Sequence, residues 1–255
     1  MLHDPVKPMS RWRASGIHLL ISLGIALPVG SLIYFVWYPP PYFQVAGGNT
    51  LMLLIMGVDV VIGPILTLAI FRAGKRGLRF DLIVIALMQA LAFSYGFHVI
   101  AIARPAFVVA EVDRFVLVAA NELDDKDLGE AIQPQFASRP WTGPRMVGVR
   151  IPETGREGLD VAMSGLAGKD VDRLPKYYVT YGQVAETILA HARPISALIE
   201  KQAAQAPVLR DFVNQSGDDI ANLAYVPLKG RLESYAMVLS RRTKLPLTVL
   251  PVDPW

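Results

Sequence analysis

The chain has 255 residues, 53% of them hydrophobic, with 25 Lys and Arg against 22 Asp and Glu and no cysteine. The apolar share and a mean hydropathy of +0.37 exceed those of an ordinary soluble chain, and the missing cysteines exclude a disulfide framework, a thiolate nucleophile and Cys-based zinc sites. The first 103 residues hold seven basic and three acidic residues, whereas residues 104–255 hold 18 and 19, so the folded C-terminal part offers no basic patch for nucleic acid.

In chain order, residues 16–37, 51–71 and 82–103 each reach the roughly 20 apolar residues that crossing a bilayer requires. Residues 1–15 precede them as a polar tail. Lys7, Arg11 and Arg13 lie before the first stretch, and Arg72, Lys75, Arg76 and Arg79 crowd the loop between the second and third. The loop around Pro39-Pro40-Pro41-Tyr42-Phe43 carries no charge. The positive-inside rule keeps both basic segments in the cytoplasm. The reading is a membrane protein with three transmembrane α-helices, N-terminus inside and C-terminus outside, followed by a periplasmic α+β domain over residues 104–255. Trp37, Tyr38, Tyr42 and Phe43 then form an aromatic belt at the outer interface. The first stretch is longer than the about 7–15 apolar residues of a signal peptide and no A-x-A-like site follows it, so it is a permanent anchor.

Asp59 lies about 12 Å below the outer edge at 1.5 Å per residue. Such a residue in lipid faces protein or water and takes a partner. By the same ruler Tyr95 lies about 12 Å deep and His98 about 7–8 Å, near Asp59, with Gln89 at about 21 Å. Three readings stay open: a hydrogen bond joining the second and third helices, a contact with a partner's membrane helix, and a proton or ion path. Gly63-Pro64 follows, and the proline leaves the Val60 carbonyl without its helical donor, which predicts a kink. Pro28 acts likewise in the first helix, where Ser22, Ala26 and Gly30 form a small-residue stripe suited to close helix packing.

Residues 107–120 read as one or two strands and residues 121–130 as a loop entering a short helix. Residues 133–144 are irregular, and residues 146–151 form a strand. The 3–4-residue spacing of Ile188, Leu189, Ala192, Ile195, Leu198 and Ile199 predicts helix over residues 181–205, split by Pro194. A short helix over residues 208–214 ends near Gly217. Strands follow at residues 223–228, 234–239 and 246–250, the last two joined as a hairpin through Arg241, Arg242, Thr243 and Lys244.

Catalytic chemistry is not visible. The C-terminal domain has one histidine, His191, and the chain lacks G-x-S-x-G, P-loop and G-x-G-x-x-G patterns. Asp124-Asp125-Lys126-Asp127 lacks calcium-loop spacing and reads as a solvated turn. Glu111 and Asp113 would share a strand face, with Arg114 beside them as an ion-pair network. No enzyme activity, cofactor or metal is expected.

The order of these features resembles the TfpX/TfpZ family of type IV pilin accessory proteins. The resemblance rests on Trp37-Tyr38-Pro39, on the run from Gly57-Val58-Asp59 through Gly63-Pro64 to Leu68, and on Arg79-Phe80-Asp81-Leu82. It continues through Gln89, Tyr95-Gly96, Arg104-Pro105 and Glu111-Val112-Asp113-Arg114-Phe115, and loosens beyond Glu122 to Trp141-Thr142-Gly143-Pro144 and Tyr225-Val226-Pro227-Leu228. It implies an inner-membrane, non-enzymatic chaperone that binds and stabilises a cognate type IV pilin, membrane helix and periplasmic head, and supports pilus assembly. On that reading Asp59, Gly63, Pro64, Gln89, Tyr95 and His98 are partner-binding or structural within the membrane. Arg104, Pro105, Asp113, Arg114 and Phe115 form the membrane-exit motif. The rival functions are a membrane enzyme that modifies pilin and a small transporter.

Overall fold

The computed structural model of the chain describes residues 9–150, 155–166 and 168–255; Lys7 and Ile151, used above, lie outside them. The chain divides into two compact units, residues 1–35 with 48–101 and residues 36–47 with 102–255.

Among the described residues three helices are long and apolar enough to cross a membrane: α1, Arg11–Trp37; α2, Gly48–Ile70; and α3, Leu78–Ile102; all but the last residues of α1 and α3 lie in the first unit. The Ser10 side chain caps α1 by accepting from the Arg13 N–H at 3.3 Å. Gly74 and Gly77, at φ +79° and +85°, turn the chain between α2 and α3, and Lys75 Nζ meets Asp81 in the first turn of α3 at 2.6 Å. Two of the three helices contain a proline, Pro28 in α1 and Pro64 in α2. The backbone opens into a wider π turn at Leu32–Trp37, after Pro28, and at Val58–Ile62, just before Pro64. Both helices continue through these π turns, which are among the features that accompany a kink.

The second unit is a mixed sheet. Its strands are β1, Pro105–Ala110; β2, Phe115–Ala119; β3, Arg145–Val149; β4, Tyr178–Thr180; β5, Arg193–Pro194; β6, Leu223–Lys229; β7, Ser234–Ser240; and β8, Pro246–Leu250. The spatial order is β4-β3-β1-β2-β6-β7-β8, with β5 on the free half of the β6 edge. β1 runs parallel to β3 and β2 parallel to β6; the remaining pairs are antiparallel. β1 is buried along its whole length because both faces are covered. Val108 and Ala110 pack with Phe115, Val226, Leu228, Met237 and Ile188. Phe107 and Val109 face the other way, onto Val147, Val149, Phe136 and Tyr178. That second face continues under the helices Ile195–Lys201 and Ala206–Ser216, where Leu198 and Leu209 cover Leu223, Tyr225, Ala236 and Val238.

Most of the expected elements are present, including the helix split at Pro194 and the end of Ala206–Ser216 at Gly217, with φ +67°. The helix Arg156–Leu166 and the short strand β4 were not anticipated. The aromatic loop also behaves differently from the expected interfacial belt. Residues 36–47 form a strap of the sheet unit, in which Trp37, Tyr38 and Phe43 are buried and Val45 enters the core. The Val45 carbonyl accepts from the Arg231 N–H at 3.1 Å, and Tyr235 Oη donates to the Gln44 carbonyl at 3.3 Å. Gly143 has φ +95°, and a Cβ there would stand 3.0 Å from the Val36 carbonyl oxygen, so only glycine suits this approach.

Candidate partner-binding site

Within the helical unit, α1 is tied to the second half of α2. Ser15 Oγ donates to the Pro64 carbonyl at 2.8 Å, and His18 Nδ1 shares a 2.6 Å hydrogen bond with Thr67 Oγ1. Further along, the stripe of Ser22, Ala26 and Gly30 is buried. A Cβ on Gly30 would lie 2.9 Å from Met52 Cε, so the missing side chain admits the Met52 and Met56 thioethers.

The π turn explains the tie to α3. The Gly63 N–H bonds the Val58 carbonyl instead of that of Asp59. The next residue, Pro64, has no N–H to offer. The Asp59 carbonyl instead takes a long 3.5 Å hydrogen bond from Gln89 Nε2. Gly63 makes room for this amide: a Cβ there would stand 2.0 Å from Gln89 Nε2. The expected neighbours of Asp59, Tyr95 and His98, are not bonded to it among the described residues, and Tyr95 is 73% exposed. The depth ruler placed Asp59 too near the outer edge because α2 begins at Gly48, earlier than the hydropathy limit; Asp59 lies 11 residues from the start of α2 and Gln89 13 residues from the end of α3.

These helices enclose a groove of about 340 Å³ whose lining includes Ile25, Ala26 and Ile33 of α1, Met56 and Asp59 of α2, and Gln89 and Phe93 of α3. Asp59 Oδ1 is buried there with no hydrogen-bond partner among the described residues. The groove is thus mainly apolar, with His18, Ser22, Gln89 and Ser94 as further polar lining residues beside Asp59. His18, Ser15 and Thr67 escaped the sequence reading; the available signal was a polar side chain inside an otherwise apolar stretch, the same one that marked Asp59.

The exit-motif residues lie in the sheet unit. Arg104 is buried, with its guanidinium 3.7 Å above the Trp141 ring and Nε donating to the Pro140 carbonyl at 3.1 Å. Pro105 opens β1 and pairs with Ala119. Phe115, fully buried, packs on Tyr181. Asp113 and Arg114 pair at 2.9 Å, and this hydrogen bond holds the Asp113 carboxyl below its usual range. Glu111 differs from its neighbour: burial, then the charges of Asp172 and Asp170, push it up to about 7. Among the described residues, we find no paired nucleophile and base.

The fold defines a class: an N-terminal unit of three apolar helices with inward polar side chains, followed by a mixed-sheet domain. The family model described as "Fimbrial assembly protein FimB" matches residues 7–47. Over 247 residues the chain is 30% identical to the "Fimbrial assembly protein, serogroup I" of Dichelobacter nodosus, covering 94% of this chain and 95% of that relative. The serogroup E1 protein of the same organism matches to the same extent. The protein of serogroups C1 and C2 is 39% identical over 121 residues, 47% of this chain and 92% of its own. The chain belongs to the fimbrial assembly protein family. No solved structure matches it.

Proposed function

We propose that this chain is an inner-membrane accessory protein of type IV pilus assembly, of the TfpX/TfpZ kind, that binds and stabilises a pilin subunit before assembly. In this reading α1, α2 and α3 cross the inner membrane, and the sheet domain stands in the periplasm. Family membership supports a role in assembly, and the charge pattern supports the orientation: Arg11, Arg13 and the Arg72–Arg79 loop are basic, whereas residues 36–47 carry no charge. The observation that carries the binding role is the groove with its unpartnered Asp59 Oδ1. A pilin's apolar helix fits that slot, and its head meets the sheet domain. No chemistry on the pilin is required.

The test is a deletion strain complemented with the wild-type chain or with Asp59→Asn. Deletion should lower pilin abundance and piliation, wild type should restore both, and Asp59→Asn should restore them poorly while accumulating to the same level. Intact mass of pilin should be the same in all strains. Normal pilin levels and normal pili in the deletion strain would overturn the reading, and a shifted pilin mass would replace it with a modifying enzyme.

A further inference from the structure

The turn from β1 to β2 begins at Glu111, whose N–H donates to the Arg114 carbonyl at 2.9 Å. β1 is parallel to β3 and β3 antiparallel to β4, so the end of β1 and the segment entering β4 meet at one end of the sheet. That segment holds Asp170, which caps the short turn Val171–Arg173, and Asp172 within it. One carboxylate oxygen from each of Glu111, Asp170 and Asp172 lies within 4.8 Å of the others.

Acidic groups often gather at a surface for no purpose, but Asp172 is not at the surface. It is 5% exposed, and its Oδ1 has no hydrogen-bond partner among the described residues. Asp170 uses Oδ1 to accept from the Val171 N–H at 2.8 Å, which leaves its second oxygen available. Arg114 offsets Glu111 only in part, because it is shared: its Nε lies 2.9 Å from Asp113 and 3.6 Å from Glu111. Arg173 is engaged by Glu122 at 2.8 Å. Among the described residues, the strongest charges acting on Glu111 and Asp172 come from Asp113, Glu122 and Asp170 on one side and Arg114, Arg173 and Lys229 on the other; with the two themselves that is five negative groups against three positive.

We propose that Glu111, Asp170 and Asp172 bind a hard divalent cation, calcium foremost, in the sheet domain. The donors are all carboxylate oxygens, with no imidazole or thiolate, which selects a hard ion. At a Ca–O distance of about 2.3–2.6 Å, two ligands of one ion stand no more than about 5 Å apart, and the observed limit of 4.8 Å obeys that. Ligands drawn irregularly from two segments suit calcium better than magnesium, which demands a near-ideal octahedron. The ion would offset the excess negative charge and tie the β1–β2 turn to the segment entering β4. This inference does not depend on the pilin reading.

The test uses the full chain in detergent, stripped with EDTA and titrated with terbium. Tyr178 donates its hydroxyl to the Asp172 carbonyl and so sits close enough to sensitise terbium emission. The expected result is saturable emission, displaced by calcium with a Kd on the order of 0.1–1 mM and more weakly by magnesium. Asp170→Asn retains a side-chain oxygen for the Val171 cap, and with Asp172→Asn it should weaken calcium about tenfold or more by removing ligand charge. Asp125→Asn, in an exposed carboxylate paired with Arg139, should bind as wild type. Calcium should also raise the Tm of wild type and not of Asp170→Asn. Unsaturable emission, failure of calcium to compete, or wild-type affinity in Asp170→Asn would overturn the proposal.

Discussion

Phe107 in β1 and Leu91 in α3 are both large and apolar, yet the first has no exposed surface and the second is 67% exposed. The sheet domain gathers its apolar side chains into three buried clusters that leave little of the strands uncovered. The helical unit does the reverse: Leu53, Ile65, Leu87 and Leu91 point outward, and the polar groups of Ser15, His18, Thr67 and Gln89 turn inward. In water, apolar burial drives packing. In lipid, where the proposed function puts these helices, that drive is absent, and small residues and interhelical hydrogen bonds hold helices together. The difference teaches where each unit can spare atoms for a partner. A domain held by a dense core is closed, whereas one held by a few polar ties leaves a groove.

Substitutions sharpen this contrast, and their expected costs fall in order. Phe107→Ala removes a ring packed edge-on to Phe136 and Tyr178 and should cost about 3–5 kcal/mol; proteolysis in rising urea would show the sheet domain cut while α1–α3 survive. Arg104→Ala strips a hydrogen bond from the Pro140 carbonyl and uncovers Trp141, for a loss of about 1.5–3 kcal/mol seen in the same assay. Gly230→Ala should cost about 1–2 kcal/mol, since its Cβ would stand 2.6 Å from the Val45 carbonyl oxygen; a domain melting as wild type would show that the strap is not part of its core. Gln89→Leu should lower helical-unit stability in an SDS titration by only about 0.6 kcal/mol, the usual worth of an interhelical hydrogen bond in a membrane protein. Asp59→Asn should leave that titration unchanged, yet reduce pilin co-purification by about one order of magnitude, or about 1.4 kcal/mol. If it instead destabilised the helices as much as Gln89→Leu, Asp59 would be a structural group and the groove reading would fail.

Much of the architecture was legible because its signals are local. Three long apolar stretches, the split at Pro194, the stop at Gly217 and the strands β6, β7 and β8 follow from residue type and spacing alone. The pairing of Asp59 was not legible, since a three-residue error in the start of α2 moves its side chains by about 4–5 Å along the axis. The ion-pair network of Glu111, Asp113 and Arg114 was legible and is present, whereas the approach of Asp170 and Asp172 to Glu111 was not legible.

By itself, the sequence determined which segments are apolar helices, which are strands and where polar or helix-bending residues interrupt them, because propensity and periodicity act within a few residues of one another. Only the tertiary structure decided that residues 36–47 belong to the sheet domain, that a π turn hands the Asp59 carbonyl to Gln89, and that carboxylates about sixty positions apart come within 4.8 Å of one another. Those outcomes depend on distances across the fold, which register and packing set and no local pattern encodes.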